Sequence, residues 1–238
     1  MLKLITTFWL RHIHPRLTTL IATIGIVGLA SCLLILFIVA QLAEEVLEKE
    51  AFALDSSFLL WLHTFANPHL DTVMLFITKL GNPNTIVNVA LVTLGILLWR
   101  RCQEEAIIFV ITCLGAFILN TELKLFFSKV RPQLWELLIT ETSFSFPSGH
   151  ALGSLVIYGF IGYELAIHYP KYAALIYTLA VILIAAIGLS RLYLGVHWPT
   201  DVIAGYGVGF LWLMLCITML KLLKLRWVRR RESDQINR

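Results

Sequence analysis

Apolar positions in this chain come in long blocks separated by short charged stretches, at about 17–41, 70–99, 106–128, 149–168, 172–190 and 200–222. Each block is near the roughly 20 residues that an α-helix needs to cross a bilayer. The pattern therefore predicts an all-α polytopic membrane protein, six transmembrane helices in one bundle. The second block is interrupted at Gly81-Asn82-Pro83. Either one helix breaks there, or a short outer segment precedes a span that starts near Asn84.

Two further stretches are too short to span. Residues 4–14, with Phe8, Trp9, Arg11 and His12, read as an interfacial segment on the inner surface. Residues 56–66 follow Glu44, Glu45, Glu48 and Glu50 and read as a surface-packed connecting helix rather than a substrate gate. The first block is too long for the apolar part of a signal peptide and lacks a cleavage site, so it is expected to be retained. The resulting division is an inner interfacial segment at 1–16, the six-helix domain at 17–222 and a basic cytoplasmic tail at 223–238.

Composition supports lipid as the solvent. Of 238 residues, 58% are hydrophobic and 14% charged, with a mean hydropathy of +0.81; a soluble domain carries roughly 25% charged residues. The net charge of +4 does not form a nucleic-acid surface, because much of it sits in the tail with Lys221, Lys224, Arg226, Arg229, Arg230 and Arg231. Cys32, Cys102, Cys113 and Cys216 show neither disulfide nor zinc spacing.

Charge also orients the spans. With the N-terminus inside, thirteen of nineteen Lys and Arg fall on the inner side, and an even number of spans returns the basic tail there. Termini in the cytoplasm and a site on the outer face of the cytoplasmic membrane are expected. The outer side still holds Lys49, Lys79, Lys124, Lys129, Arg131 and Arg191.

Three clusters lie at the outer ends of spans. Lys124 to Pro132, K-L-F-F-S-K-V-R-P, closes the third. Lys124 and Arg131 are seven apart, two helical turns, and Pro132 is expected to end the helix at Arg131. Phe146 to His150, F-P-S-G-H, opens the fourth, with Ser148 as N-cap and Gly149 allowing close approach to an anion at the helix N-terminus. Ser190 to Asp201, S-R-L-Y-L-G-V-H-W-P-T-D, joins the fifth and sixth. His197 and Asp201 are four apart, with Pro199 suited to a first helical turn. A carboxylate on one ring nitrogen leaves the lone pair of the other for attack or proton transfer. Snorkelling, simple capping and surface pairing each explain one cluster alone. Three on one side of the bilayer supply an oriented His, a second His, three cations and a helix N-terminus, an inventory suited to phosphoryl transfer. The small-residue pairs Gly149/Gly153 and Gly205/Gly209 are explained by close helix packing, and His12, His14, His63, His69 and His168 are expected to be interfacial.

Lys124-x6-Arg131-Pro132, Pro147-Ser148-Gly149-His150 and Ser190-Arg191-x5-His197-x3-Asp201 resemble, without departure, the three-part signature of the type 2 phosphatidic acid phosphatase superfamily. The resemblance covers about 68–220. The spans place it in the membrane branch, with bacterial phosphatidylglycerophosphatases and undecaprenyl-diphosphatases. It implies that His197 attacks phosphorus and becomes phosphohistidine, that Asp201 orients it, and that His150 protonates the leaving oxygen and then activates water. It further implies that Lys124, Arg131 and Arg191, with Ser148 and Gly149, hold the phosphoryl oxygens, and that neither metal nor cofactor takes part. Phosphatidylglycerol phosphate, undecaprenyl diphosphate, phosphatidate and diacylglycerol pyrophosphate all fit as substrates. Two other functions stay open: transfer of the phosphoryl group to another lipid, and lipid carriage or scrambling without hydrolysis. Clustering of the charges at one interface rather than at the midplane weighs against the carrier.

Overall fold

The computed structural model describes residues 25–48 and 52–236, and the regular elements among them are helical. They are α1 (Ile26–Glu48), α2 (Phe52–His63), α3 (Pro68–Leu80), α4 (Pro83–Trp99), α5 (Gln103–Phe127), α6 (Gly149–His168), α7 (Ala173–Tyr193) and α8 (Pro199–Ile236). Five described helices are long and apolar enough to cross a membrane, and α3 with α4 makes a sixth span if the two are taken together across a 45° bend. At the Gly81-Asn82-Pro83 interruption the structure has two helices, α3 and α4, meeting at that bend, an arrangement compatible with either expected possibility. Pro83 opens α4 in its first turn, where its missing N–H costs nothing.

Three expected boundaries move. α1 continues to Glu48 rather than ending near 41, so Glu44, Glu45 and Glu48 belong to it and not to a connecting stretch. α8 runs unbroken to Ile236, through the stretch assigned to a separate tail. In both places the apolar block ends before the helix does, because Glu, Lys, Arg and Leu all favour helix in water or lipid alike. α5, in contrast, stops at Phe127 with Ser128 left-handed (φ 46°), so Arg131 stands on a loop and not on a helical face with Lys124. The inner segment 1–16, the start of the first span, and the side chains of Arg226, Arg229, Arg230, Arg231 and Arg238 lie outside the described residues.

The bundle is apolar on both faces of most helices. Its interior, between α4, α5, α6 and α8, holds Leu97, Phe109, Val156, Phe160, Leu213 and Leu220, with the Phe109 and Phe160 rings 4.9 Å apart. Leu33, Phe37, Leu91, Phe117, Leu179 and Val181 face outward, as helices in lipid require. A Cβ on Gly205 would lie 2.6 Å from the Ser148 carbonyl oxygen, so only glycine lets α8 rest on the start of α6. Gly209 likewise meets the Leu152 backbone, in agreement with the packing explanation. Gly153 departs from it: nothing among the described residues lies within 4 Å of its Cβ position, and it lines a cavity.

Close approach of α6 and α8 has a consequence for chemistry. The Ser148 N–H donates to the Asp201 carbonyl at 2.9 Å, pinning together the N-termini of both helices. The C-terminal ends of α5 and α7 reach the same end of the bundle, so all three sequence clusters meet there.

Candidate active site

His197 lies in the turn between α7 and α8, on a backbone that Gly195 bends through φ +69°; a Cβ there would strike Trp135 at 2.5 Å. Its Nδ1 faces Asp201 Oδ2 at 3.3 Å, and its Nε2 accepts from Arg131 Nη1 at 3.2 Å. Because arginine can only donate, Nε2 carries the lone pair and Nδ1 the proton. Burial pushes the His197 imidazole down to about 3, against the hydrogen bond and charge of Asp201. The ring is thus neutral with one nitrogen aimed at the cations.

Asp201 is itself over-determined. Oδ2 accepts from the Trp198 N–H at 2.9 Å and from the Ser145 hydroxyl. Oδ1 accepts from Lys129 Nζ at 2.9 Å, and that ammonium also donates to Thr200 Oγ1 at 2.8 Å. Thr200 in turn donates its hydroxyl to Asp55 Oδ2 at 2.6 Å and its N–H to Asp55 Oδ1 at 3.2 Å. Burial raises the Asp55 carboxyl above its ordinary value, although Thr200 and Lys129 pull it down. α2 is therefore more than the connecting helix expected at 56–66. It carries the carboxylate that closes this network.

The cations converge, but not equally. Lys124 donates to Ser143 Oγ at 3.3 Å and to the Phe144 carbonyl. Arg131 reaches the site from its loop through Nε to the Ser143 carbonyl at 2.8 Å and Nη1 to the Val196 carbonyl at 2.6 Å. Arg191 is almost wholly buried, donating Nη1 to Thr78 Oγ1 at 2.7 Å and Nη2 to Glu141. Glu141 also lies 3.9 Å from Arg131. Burial would raise its carboxyl, but Arg191 and then Arg131 outweigh that and hold it below the usual range.

His150, in the first turn of α6, donates Nε2–H to Asn82 Oδ1 at 2.7 Å. Ser148 caps that helix as expected, its Oγ accepting from the Ala151 N–H. A cavity of about 610 Å³ joins these groups. Lys124, Arg131, Gly149, His150 and His197 line its polar end; Ile86, Val87, Leu114, Phe117 and Ile157 line the rest, between α4, α5 and α6. Of the expected site residues, Arg191, Ser148 and Asp201 stand behind the wall, supporting those that face the cavity.

Residues 104–224 match the model of the PAP2 superfamily. The chain belongs to that superfamily. It is 31% identical over 175 residues to phosphatidylglycerophosphatase B of Bacillus subtilis, covering 72% of this chain and 80% of that one. It is 32% identical over 145 residues to undecaprenyl-diphosphatase of Sulfolobus acidocaldarius, covering 59% and 66%. The crystal structure of a transmembrane PAP2-type phosphatidylglycerolphosphate phosphatase from Bacillus subtilis superposes with a TM-score of 0.73 at 28% identity, over 78% of this chain and 93% of that one. The Aquifex aeolicus LpxE structure shares the fold, with a TM-score of 0.54 at 24% identity over 74% and 98%. The chain is a multi-pass membrane hydrolase of this superfamily, a lipid phosphatase.

The motifs missed several residues that touch the site. Lys129 stands inside the first cluster but was counted only as an outer cation. Glu141, Ser143 and Ser145 sit in a loop with no recognisable pattern. Asp55 and Thr78 come from helices outside the three clusters, and Asn82 from the break between α3 and α4. Only Asn82 left a trace, as part of the interruption in the second apolar block.

Proposed function

We propose that this membrane lipid phosphatase hydrolyses a phosphate or diphosphate on a lipid by way of a phosphohistidine at His197. The observation that carries the reading is His197 itself: neutral, fixed by Asp201 at Nδ1, with Nε2 on the guanidinium of Arg131 at a cavity that is cationic at one end and apolar at the other. A phosphate dianion entering that end meets Lys124, Arg131 and the N-terminus of α6 at Gly149, where helix dipole and ammonium favour it. The lipid chain continues into the apolar part between α4, α5 and α6. The names of the relatives support a lipid phosphate as substrate; a glycerophospholipid phosphate and a polyprenyl diphosphate present the same group at the same depth.

In the first step the Nε2 lone pair attacks phosphorus, the P–O bond to the lipid breaks, and His150 gives a proton to the leaving oxygen. In the second, water attacks the phosphohistidine, its proton returns to His150, and the P–N bond breaks to release phosphate. Charge on the transferred group is met by Lys124 and Arg131 at the cavity wall, with Arg191 behind it holding Glu141, and without a metal ion. The decisive experiment is a rapid quench with radiolabelled lipid phosphate. Label should be on the protein in an acid-labile, alkali-stable form, unchanged by EDTA and absent in His197→Ala. Label elsewhere, or label abolished by EDTA and restored by Mg²⁺, would overturn the mechanism.

The excess of Lys and Arg on the other side of the bundle supports a site on the outer face of the cytoplasmic membrane. Thr140, exposed in the loop beside the cavity, tests this. In a variant without the native cysteines, Thr140→Cys should react with an impermeant maleimide in intact spheroplasts; reaction only after lysis would reverse the orientation.

A further inference from the structure

The break between α3 and α4 puts an amide where a helix cap belongs and uses it for something else. Asn82 is the N-cap of α4, yet its side chain makes no cap hydrogen bond. Asn67, the corresponding residue of α3, caps in the ordinary way, accepting from the Leu70 N–H at 3.0 Å. The Asn82 Oδ1 is turned instead onto His150 Nε2, at 2.7 Å. Two neighbouring contacts hold the break against α6. Tyr158 donates its hydroxyl to the Leu80 carbonyl at 2.7 Å. A Cβ on Gly81 would lie 3.0 Å from the His150 ring and 2.6 Å from Ile187, so a side chain there would press on the imidazole.

We propose that Asn82 is the positioning residue for His150, a step that rests on His150 acting as the acid and base of the proposed mechanism. Oδ1 can only accept, so it requires the proton on Nε2 and leaves Nδ1 to face the cavity. Among the described residues Nδ1 has no hydrogen-bond partner, and His150 lines the cavity. The proton on Nδ1 of the imidazolium goes to the lipid oxygen as the P–O bond breaks. The neutral ring left behind holds its hydrogen on Nε2, bonded to Asn82, and so presents the Nδ1 lone pair to the water that cleaves phosphohistidine. One tautomer serves both steps.

The test uses Asn82→Ala and Asn82→Asp, each purified and monodisperse, on a lipid phosphate and on nitrophenyl phosphate. Asn82→Ala should lower kcat on the lipid by up to roughly 10²-fold, the loss expected when a proton-transfer group is misaligned. Its KM should stay within about threefold, and the loss on nitrophenyl phosphate, whose leaving group needs no proton, should be much smaller. Asn82→Asp keeps an acceptor in place and should recover most of the lipid activity. Equal loss on both substrates with no recovery in Asn82→Asp would make Asn82 a structural residue and overturn the proposal, as would full activity in Asn82→Ala. Imidazole ¹⁵N shifts of the unsubstituted enzyme give an answer independent of folding in the variants: a neutral His150 with its proton on Nε2 supports the assignment, and one with its proton on Nδ1 overturns it. His150→Ala separates this inference from its foundation. If that variant shows the substrate split and Asn82→Ala does not, only the role of Asn82 fails; if His150→Ala damages both substrates equally, the acid assignment itself fails.

Discussion

The two histidines of the site are held in opposite ways. His197 is gripped at Nδ1 by a carboxylate that three other donors fix in place, and its Nε2 looks into the site. His150 is gripped at Nε2 by a neutral amide from a broken helix. A carboxylate partner stabilises the positive charge that a nitrogen gains when it forms a bond to phosphorus. An amide fixes a tautomer without adding charge, which suits a group that must release and regain a proton within one turnover. The contrast is one of charge, and it makes the two positions separable by experiment.

The largest expected effect is at the proposed nucleophile. His197→Ala should lower kcat by roughly 10³-fold or more on lipid phosphate and nitrophenyl phosphate alike; retention of more than about a tenth of the activity in monodisperse protein would break the comparison. His150→Ala should cost ~10²–10⁴-fold on the lipid, with its alkoxide leaving group, and much less on nitrophenyl phosphate. A bell-shaped dependence of kcat/KM on pH should accompany wild-type turnover and lose a limb in His150→Ala.

Further out, Asp55→Asn should weaken the support of Asp201 through Thr200 and Lys129. We expect a loss of roughly ten- to a hundredfold in kcat on both substrates, since it acts on the nucleophile and not the acid. A substrate-dependent loss would place Asp55 with the wrong histidine. Glu141→Gln should have the smallest kinetic effect and the opposite sign for anion binding. Removing the carboxylate from Arg191 and Arg131 should tighten competitive inhibition by inorganic phosphate by up to about tenfold, the equivalent of roughly 1.4 kcal/mol. Unchanged inhibition would mean that the carboxylate does not compete with the ligand.

Stability carries a last, smaller signature. His197 is pushed down to about 3 in the folded protein, while an unfolded chain takes up that proton near 6.5. As pH falls below about 6.5 the unfolded state binds the proton first, so this contribution is full above that value and is lost toward pH 3. The Tm in detergent should fall across that window, and less steeply in His197→Ala. An unaltered slope would show that the imidazole is not buried neutral.

Much of the architecture was legible because a bilayer leaves few choices. Backbone polar groups in lipid must be satisfied within the helix, so apolar blocks of sufficient length become spans and their order follows, with the count left at five or six by the bend between α3 and α4. The motif residues were legible too, since each cluster sits at the end of a span and a single-sided topology brings those ends together. Helix ends in the aqueous region were less so. Hydropathy marks where lipid stops, and α1 and α8 continue past that point while α5 stops short of Arg131.

The sequence by itself thus determined the membrane-spanning all-helical fold and the family, and it named His150, His197, Asp201, Lys124, Arg131 and Arg191 as the candidate site. Only the tertiary structure decided which of these face the cavity and which stand behind it, and which partners hold them. Asn82 meets His150 across 68 positions and Asp55 meets Thr200 across 145. Such pairs have no shared periodicity or spacing to betray them. The first exists because Gly81 leaves room for the chain to pass beside the His150 ring, the second because α2 packs against α8. The physical reason is packing: the helices were decided by the solvent around them, the pairs by the distances between them.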